Sequence, residues 1–261
     1  MTPETYFTED SMLYRVHREY AVALSGPRAL LLQATHPIAF EGFFAHTSAL
    51  DDPYGRLNRT AAVMDAILFG PRDRADRLTK RVRAMHRKVT WEIDGTTWRA
   101  DDPDLLLWVL ATLVDSALLV YQRYVGPLTR DERDAYWQDY KVVGHHFALT
   151  DDDLPDTIED FEAYMASMLA GDFLGLSDDA RDLAIDIVMS PPVPLAARPL
   201  LELANQITVG LLPEKVRKMY GFSWDPARGL AVRAGAEYTK RLVVPLLPGF
   251  IRHVPSARAA A

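Results

Sequence analysis

The longest apolar run of the chain, residues 105–121 (LLLWVLATLVDSALLVY), most constrains how the rest can fold. It contains Thr112, Asp115 and Ser116, and a central Asp costs about 2.5–3.5 kcal/mol on membrane insertion. The run is also shorter than the roughly 20 apolar residues of a usual membrane span. We therefore expect a helix buried on all sides in a protein core, with membrane contact as the alternative.

The flanking segments have the apolar periodicity of helices that could surround such a core. We expect Ser25-Gly26-Pro27 to end the first of them, Thr129 and Thr157 to cap two later ones, and the tail to pack as an extended strap. The predicted helices cover residues 11–24, 28–36, 56–69, 73–89, 103–125, 129–148, 157–170, 177–189, 198–212 and 226–242.

One segment, near residues 89–99, has the pattern of strands instead. Val89, Trp91 and Ile93 alternate with polar residues, and the following Asp94-Gly95 is typical of a type I′ turn. The predicted fold class is therefore all-α, a single compact multi-helix domain around an apolar pocket, with one small β-hairpin.

Length and composition support one domain. A chain of 261 residues buries roughly 70–75 % of its unfolded surface without a metal or disulfide. We expect one domain over residues 1–261, with its core at 10–255 and a Pro-rich linker near 190–195 inside it. The absence of cysteine excludes disulfides, zinc ribbons, Fe–S clusters and cysteine nucleophiles.

The net charge and the N-terminal residues limit which partners and which location we expect. The net charge is −7 and no basic block is present, which argues against nucleic-acid binding. Residues 1–14 lack the basic and apolar regions of a secretory signal, so we expect a cytoplasmic protein. The common nucleotide, hydrolase and metalloprotease motifs GxGxxG, GxxxxGK[ST], GxSxG and HExxH are also absent.

His86 is the most informative histidine. Val82, Met85 and Val89 surround it at helical spacing, which predicts an imidazole on the inward apolar stripe. A buried neutral imidazole is a good ligand for a haem iron, and a chain without cysteine can offer only His, Tyr or Met. The alternative is a core histidine satisfied by one hydrogen bond.

Two further groups could serve a site. Arg56, Arg59 and Thr60 share one helix face, where they could hold anionic groups such as haem propionates or could simply be solvated. His36, just before a proline, could be a second iron-side group or a capping donor, and His46 follows ten residues later.

The linked order GPRALLLQATHP, DDPYGRLNRT, VRAMHRKV and ANQITVGLLP resembles the actinobacterial family that shares its catalytic domain with rubber oxygenase (latex-clearing protein) and the MpaB oxygenase. The resemblance covers residues 10–255. It implies an all-helical fold, a non-covalent haem b, and cleavage of carbon–carbon double bonds with dioxygen.

Residue by residue, the resemblance implies that His86 is the proximal iron ligand and that Arg56, Arg59 and Thr60 lie on the distal side. Rubber oxygenase has a lysine where this chain has Arg59, and a protonated guanidinium is a poor iron ligand, so Arg59 is expected to donate hydrogen bonds. Arg83 is expected to reach a propionate. His36 and His46 are the further haem-side candidates.

One departure from the family bears on function: many relatives have a histidine where this chain has Leu110. We expect an oxygenase that acts on an apolar, unsaturated small molecule, with aromatic residues as pocket walls or plain core at Phe40, Phe43, Phe44 and Trp108. The alternative is a non-catalytic protein that binds haem or an apolar ligand. A third reading is peripheral membrane association, without an integral span.

Overall fold

A computed structural model describes residues 4–45 and 52–260. Within them the chain forms helices and one two-stranded antiparallel sheet, which confirms the all-α class. The helices are α1 (Met12–His17), α2 (Ser25–Gln33), α3 (Pro37–Ala45), α4 (Pro53–Phe69), α5 (Arg72–His86), α6 (Pro103–Tyr124), α7 (Arg130–His146), α8 (Ile158–Ala170), α9 (Asp178–Met189), α10 (Arg198–Leu211), α11 (Glu214–Met219), α12 (Pro226–Tyr238), α13 (Gly249–Arg252) and α14 (Pro255–Ala260).

The central element is α6, which contains the long apolar run. Trp108, Val114 and Ala117 are fully buried, and α2 packs along it. The helix is long and apolar enough to cross a membrane by length and composition, but 61 % of its most apolar window is buried within the fold. This burial is that of a core helix surrounded by other helices, as expected.

Polar residues within α6 meet a buried arginine from α2. Arg28 is only 3 % exposed; its Nη1 lies 2.7 Å from Asp115 Oδ2 and donates to Ser116 Oγ at 2.7 Å. Its Nε donates to the Leu211 carbonyl at 2.9 Å. A buried charge is tolerated only when it is paired and hydrogen-bonded, so these contacts fix α2, α6 and α10 together.

The predicted hairpin is present as β1 (Thr90–Ile93) and β2 (Thr96–Arg99). Asp94 and Gly95 both have positive φ, as a type I′ turn requires. Helix α3 packs on this hairpin, and Trp91 lies so close to Gly42 that a Cβ there would come within 2.6 Å of the ring. Glycine at this position therefore leaves the space that the Trp91 indole occupies.

The N-terminal and C-terminal segments differ from expectation. The first predicted helix is broken after His17, a 3₁₀ turn covers Tyr20–Leu24, and Ser25-Gly26-Pro27 begins α2 instead of ending a helix. Proline is accepted in a first helical turn because its missing N–H has no partner there. The tail is not an extended strap but a series of short helical pieces.

Candidate functional site

Helices α4 and α5 carry most of the predicted site residues. Asp52 caps α4, because its Oδ1 accepts from the Gly55 N–H at 2.8 Å. The two-residue connection Gly70-Pro71 leads into α5, and the two helices pack against each other as a helical hairpin. This topology places the beginning of α4 and the end of α5 at the same end of the pair.

His86 is the last residue of α5 and is half-buried. The predicted inward stripe holds only in part, since Val82 is half-buried but Met85 is 55 % exposed. After His86 the chain turns into the hairpin, with the Val89 N–H donating to the His86 carbonyl at 3.0 Å. The imidazole thus lies at the helix end, beside the surface rather than sealed in the core.

The other site residues predicted at the start of α4 and the end of α5 are exposed, half-buried or outside the described part of the structure. Arg59 is 68 % exposed and its Nη1 donates to Asp52 Oδ2 at 3.3 Å, while Thr60 is exposed. Arg83, one turn before His86, is half-buried. The described part of the structure does not include His46 or the side chains of Phe43, Phe44 and Arg56.

His36 is fully enclosed at the start of α3. Its Nδ1 accepts from the Ala39 N–H at 3.2 Å, so it is a capping acceptor, where the sequence had suggested a capping donor or an iron-side group. Desolvation by burial lowers the pKa of the imidazole to about 4. The ring is therefore neutral near pH 7, with its proton on Nε2, and meets Phe173 edge-to-face at 4.8 Å.

Two buried indoles lie around α3. Trp108 is 6.2 Å from the His36 ring, and Trp91 packs on Gly42. The Nε1 of each is buried without a hydrogen-bond partner among the described residues. An unmet buried donor costs about 1–3 kcal/mol, so a bound group that accepted a hydrogen bond from either indole would be stabilised by it.

His146 was not singled out from the sequence. Its ring meets Tyr6 edge-to-face at 4.4 Å, and its Nδ1 lies 3.5 Å from the hydroxyl of Thr79, two turns before His86 on α5. Burial lowers the pKa of His146, and its Nε2 has no partner among the described residues. The only sequence signal for a buried histidine here is the set of apolar residues that flank the His145-His146 pair.

Leu110 lies in the main core on α6, two residues after Trp108, and is buried. An aliphatic side chain there offers no hydrogen bond or metal ligand. Within residues 4–45 and 52–260 no three His, Asp or Glu side chains converge on one metal position. A haem iron, by contrast, takes only one or two ligands from a protein.

Comparison with known proteins identifies the family of the chain. No curated protein and no solved structure matches it significantly. A family model does match, over residues 14–241, which span α1 to the end of α12 and include all the helices of the candidate site. The chain therefore belongs to the family described as ER-bound oxygenase mpaB/B'/Rubber oxygenase, catalytic domain.

Proposed function

We propose that this protein is a haem b-dependent oxygenase that acts on an apolar, unsaturated small molecule with dioxygen. Membership of the oxygenase family is the observation that carries the proposal. The half-buried His86 supports it, because an imidazole at a helix end beside the surface can be reached by a ligand without unfolding the core.

The residues of this end fit a haem in their chemistry. His86 would bind the haem iron, and the half-buried Arg83 one turn away would pair with a propionate. The unmet indole N–H groups of Trp91 and Trp108 could donate to the bound group. When bound, the haem would supply the activation of dioxygen.

Distal hydrogen bonding would come from α4. A guanidinium has five N–H donors and no acceptor, so Arg59 would donate hydrogen bonds rather than bind iron. Its exposed contact with Asp52 would have to open for the guanidinium to turn toward the haem. Thr60, on the same helix face, would add a hydroxyl.

The apolar substrate would meet an aromatic wall. Trp108 and Phe173 lie beside the His36 ring, and Phe40 packs against the core one helical turn later; His36 is neutral and so adds no charge. Such a wall would exclude water and hold a hydrocarbon by its surface alone.

The second candidate is a non-catalytic protein that binds haem or an apolar ligand. The specific observation in its favour is Leu110, which is packed in the core where many relatives have a histidine. The two candidates differ only in turnover. We propose a cytoplasmic location, with peripheral membrane association as the alternative.

The test starts with a visible spectrum and a pyridine haemochrome assay on protein produced with haem supplied. One haem b per chain is expected, and His86→Ala should lose it while His145→Ala, an exposed histidine beside Asp151, should keep it. An unchanged spectrum in His86→Ala would show that the axial assignment is wrong.

Oxygen uptake with unsaturated isoprenoids or lipids then separates the two candidates. Turnover supports the oxygenase. Haem binding without uptake for any such substrate, together with uptake gained in Leu110→His, would favour a degenerate site. In the oxygenase, Arg59→Ala should keep haem and change the rate of oxygen uptake.

A further inference from the structure

A cavity that no histidine lines lies between α10, α11, α12 and the end of α6. Its volume is about 180 Å³. Three arginines line it together with an indole and two glycines: Arg123, Arg217, Arg233, Trp224, Gly210 and Gly229. Its remaining lining residues are aliphatic, and none of the described residues that line it is acidic.

Among the described residues, no carboxylate lies within ion-pair distance of any of the three arginines of this cavity. Arg217 lies over the Trp224 ring at 5.7 Å and donates to the Leu212 carbonyl. Within the described residues, Arg123 and Arg233 form no ion pair or hydrogen bond. The acids nearest in sequence pair with other residues: Glu214 with Lys218 at 2.7 Å, Asp225 with Arg228 at 3.3 Å, and Glu237 with Lys240 at 2.6 Å. Three like charges around one opening repel one another unless an anion joins them.

The apolar side of the cavity is built around Trp224. A Cβ at Gly210 would come within 2.8 Å of the indole, and one at Gly229 within 3.3 Å of its Nε1. The two glycines therefore let the ring lie flat between α10 and α12. The cavity thus joins a cationic rim to a flat aromatic wall, which suits a ligand with an anionic head and an apolar body.

We propose that this cavity binds a small organic anion, a carboxylate or phosphate monoester that carries a flat or short apolar group. Arg123 and Arg233 hold the anionic group, and the apolar group packs on Trp224. Arg123 is 15 residues, about 22 Å along α6, from Trp108, so the site is separate from the proposed haem site and does not rest on it.

The test titrates the full chain with benzoate and with phenyl phosphate, by calorimetry and tryptophan fluorescence at fixed ionic strength. Inorganic phosphate and benzyl alcohol each carry only half of the proposed chemistry. We expect at least one aryl anion to bind more tightly than both, and its identity distinguishes a carboxylate ligand from a phosphate. Equal binding of benzyl alcohol, or no saturable binding of either aryl anion, overturns the proposal.

Variants assign the site. Arg233→Gln and Arg123→Gln should each weaken binding about tenfold or more, because each removes a charge-assisted hydrogen bond. Arg228→Gln on the same helix is the matched control and should bind as the parent protein does. Trp224→Phe should remove the fluorescence response while calorimetry still detects binding. If Arg233→Gln and Arg228→Gln bind equally well, the anion lies elsewhere.

Discussion

At the scale of single residues, the buried Arg28 is the clearest source of stability. Arg28→Ala should lower the free energy of unfolding by about 3–5 kcal/mol, because Asp115 and the Leu211 carbonyl lose their shared partner. Urea unfolding followed by circular dichroism measures the loss. Arg181→Ala is the control, since its carboxylate partners are exposed and such pairs contribute about 0–1 kcal/mol. Equal losses in the two variants would contradict this reading of the buried pair.

The spacing of residues in the sequence indicated which side chains share a helix face. It did not indicate which other residues or solvent that face contacts. Arg59 and Thr60 do lie on one helix, yet Arg59 contacts the helix cap Asp52 and points outward. Asp115 argued against a membrane span. Its partner Arg28 lies on α2, which is far from α6 in the sequence, so the pair could not be predicted from the sequence. The position of His36 before Pro37 left an iron-side group and a capping donor open, and in the structure its Nδ1 is a capping acceptor.

At the scale of elements, protonation of the His36 imidazole that caps α3 should make the free energy of unfolding depend on pH. In the folded chain the pKa of His36 is lowered to about 4, against 6.5 when unfolded. Between these values only the unfolded chain binds the proton, so stability should fall as pH drops from 6.5 to 4, by at most roughly 3 kcal/mol. Denaturant unfolding at several pH values, compared with His36→Asn, measures it. Asn keeps a capping acceptor but does not titrate, so identical pH profiles would refute the effect.

Elements set by local chemistry were predicted from the sequence. The capping boxes of Thr129 with Glu132 and Thr157 with Asp160 are present, as is the type I′ hairpin. The break after His17 was missed because its cause is not local. Glu19, two residues on, is buried and bonded to residues near the end of the chain.

At the scale of the whole molecule, this contact joins the two ends of the fold. Glu19 is 2 % exposed, with Arg252 Nε at 2.6 Å and His253 Nε2 at 3.5 Å, and the Tyr14 hydroxyl donates to the Ala257 carbonyl. Arg252→Ala should cost about 3 kcal/mol, since it leaves a buried carboxylate poorly paired. Far-UV and near-UV circular dichroism should still give coincident urea transitions.

The control for that prediction is the double variant Glu19→Gln with Arg252→Ala. It removes the charge together with its partner and should recover part of the lost stability. No recovery, or a tail that unfolds in a separate transition, would show that the contact does not couple the two ends.

The apolar length of α6 has a consequence during synthesis. Its last packing partners are α12 and the helical turn Thr239–Val243 that follows it, and the first of them begins about 100 residues after α6 ends at Tyr124. At roughly 5–20 residues per second, a ribosome needs about 5–20 s to supply it. For that interval the nascent chain presents a 22-residue helix, whose most apolar 18-residue window has a mean hydropathy of 1.8, without its full cover. We therefore expect factors that recognise membrane segments and chaperones that hold unfolded chains to compete for this helix before the protein is complete.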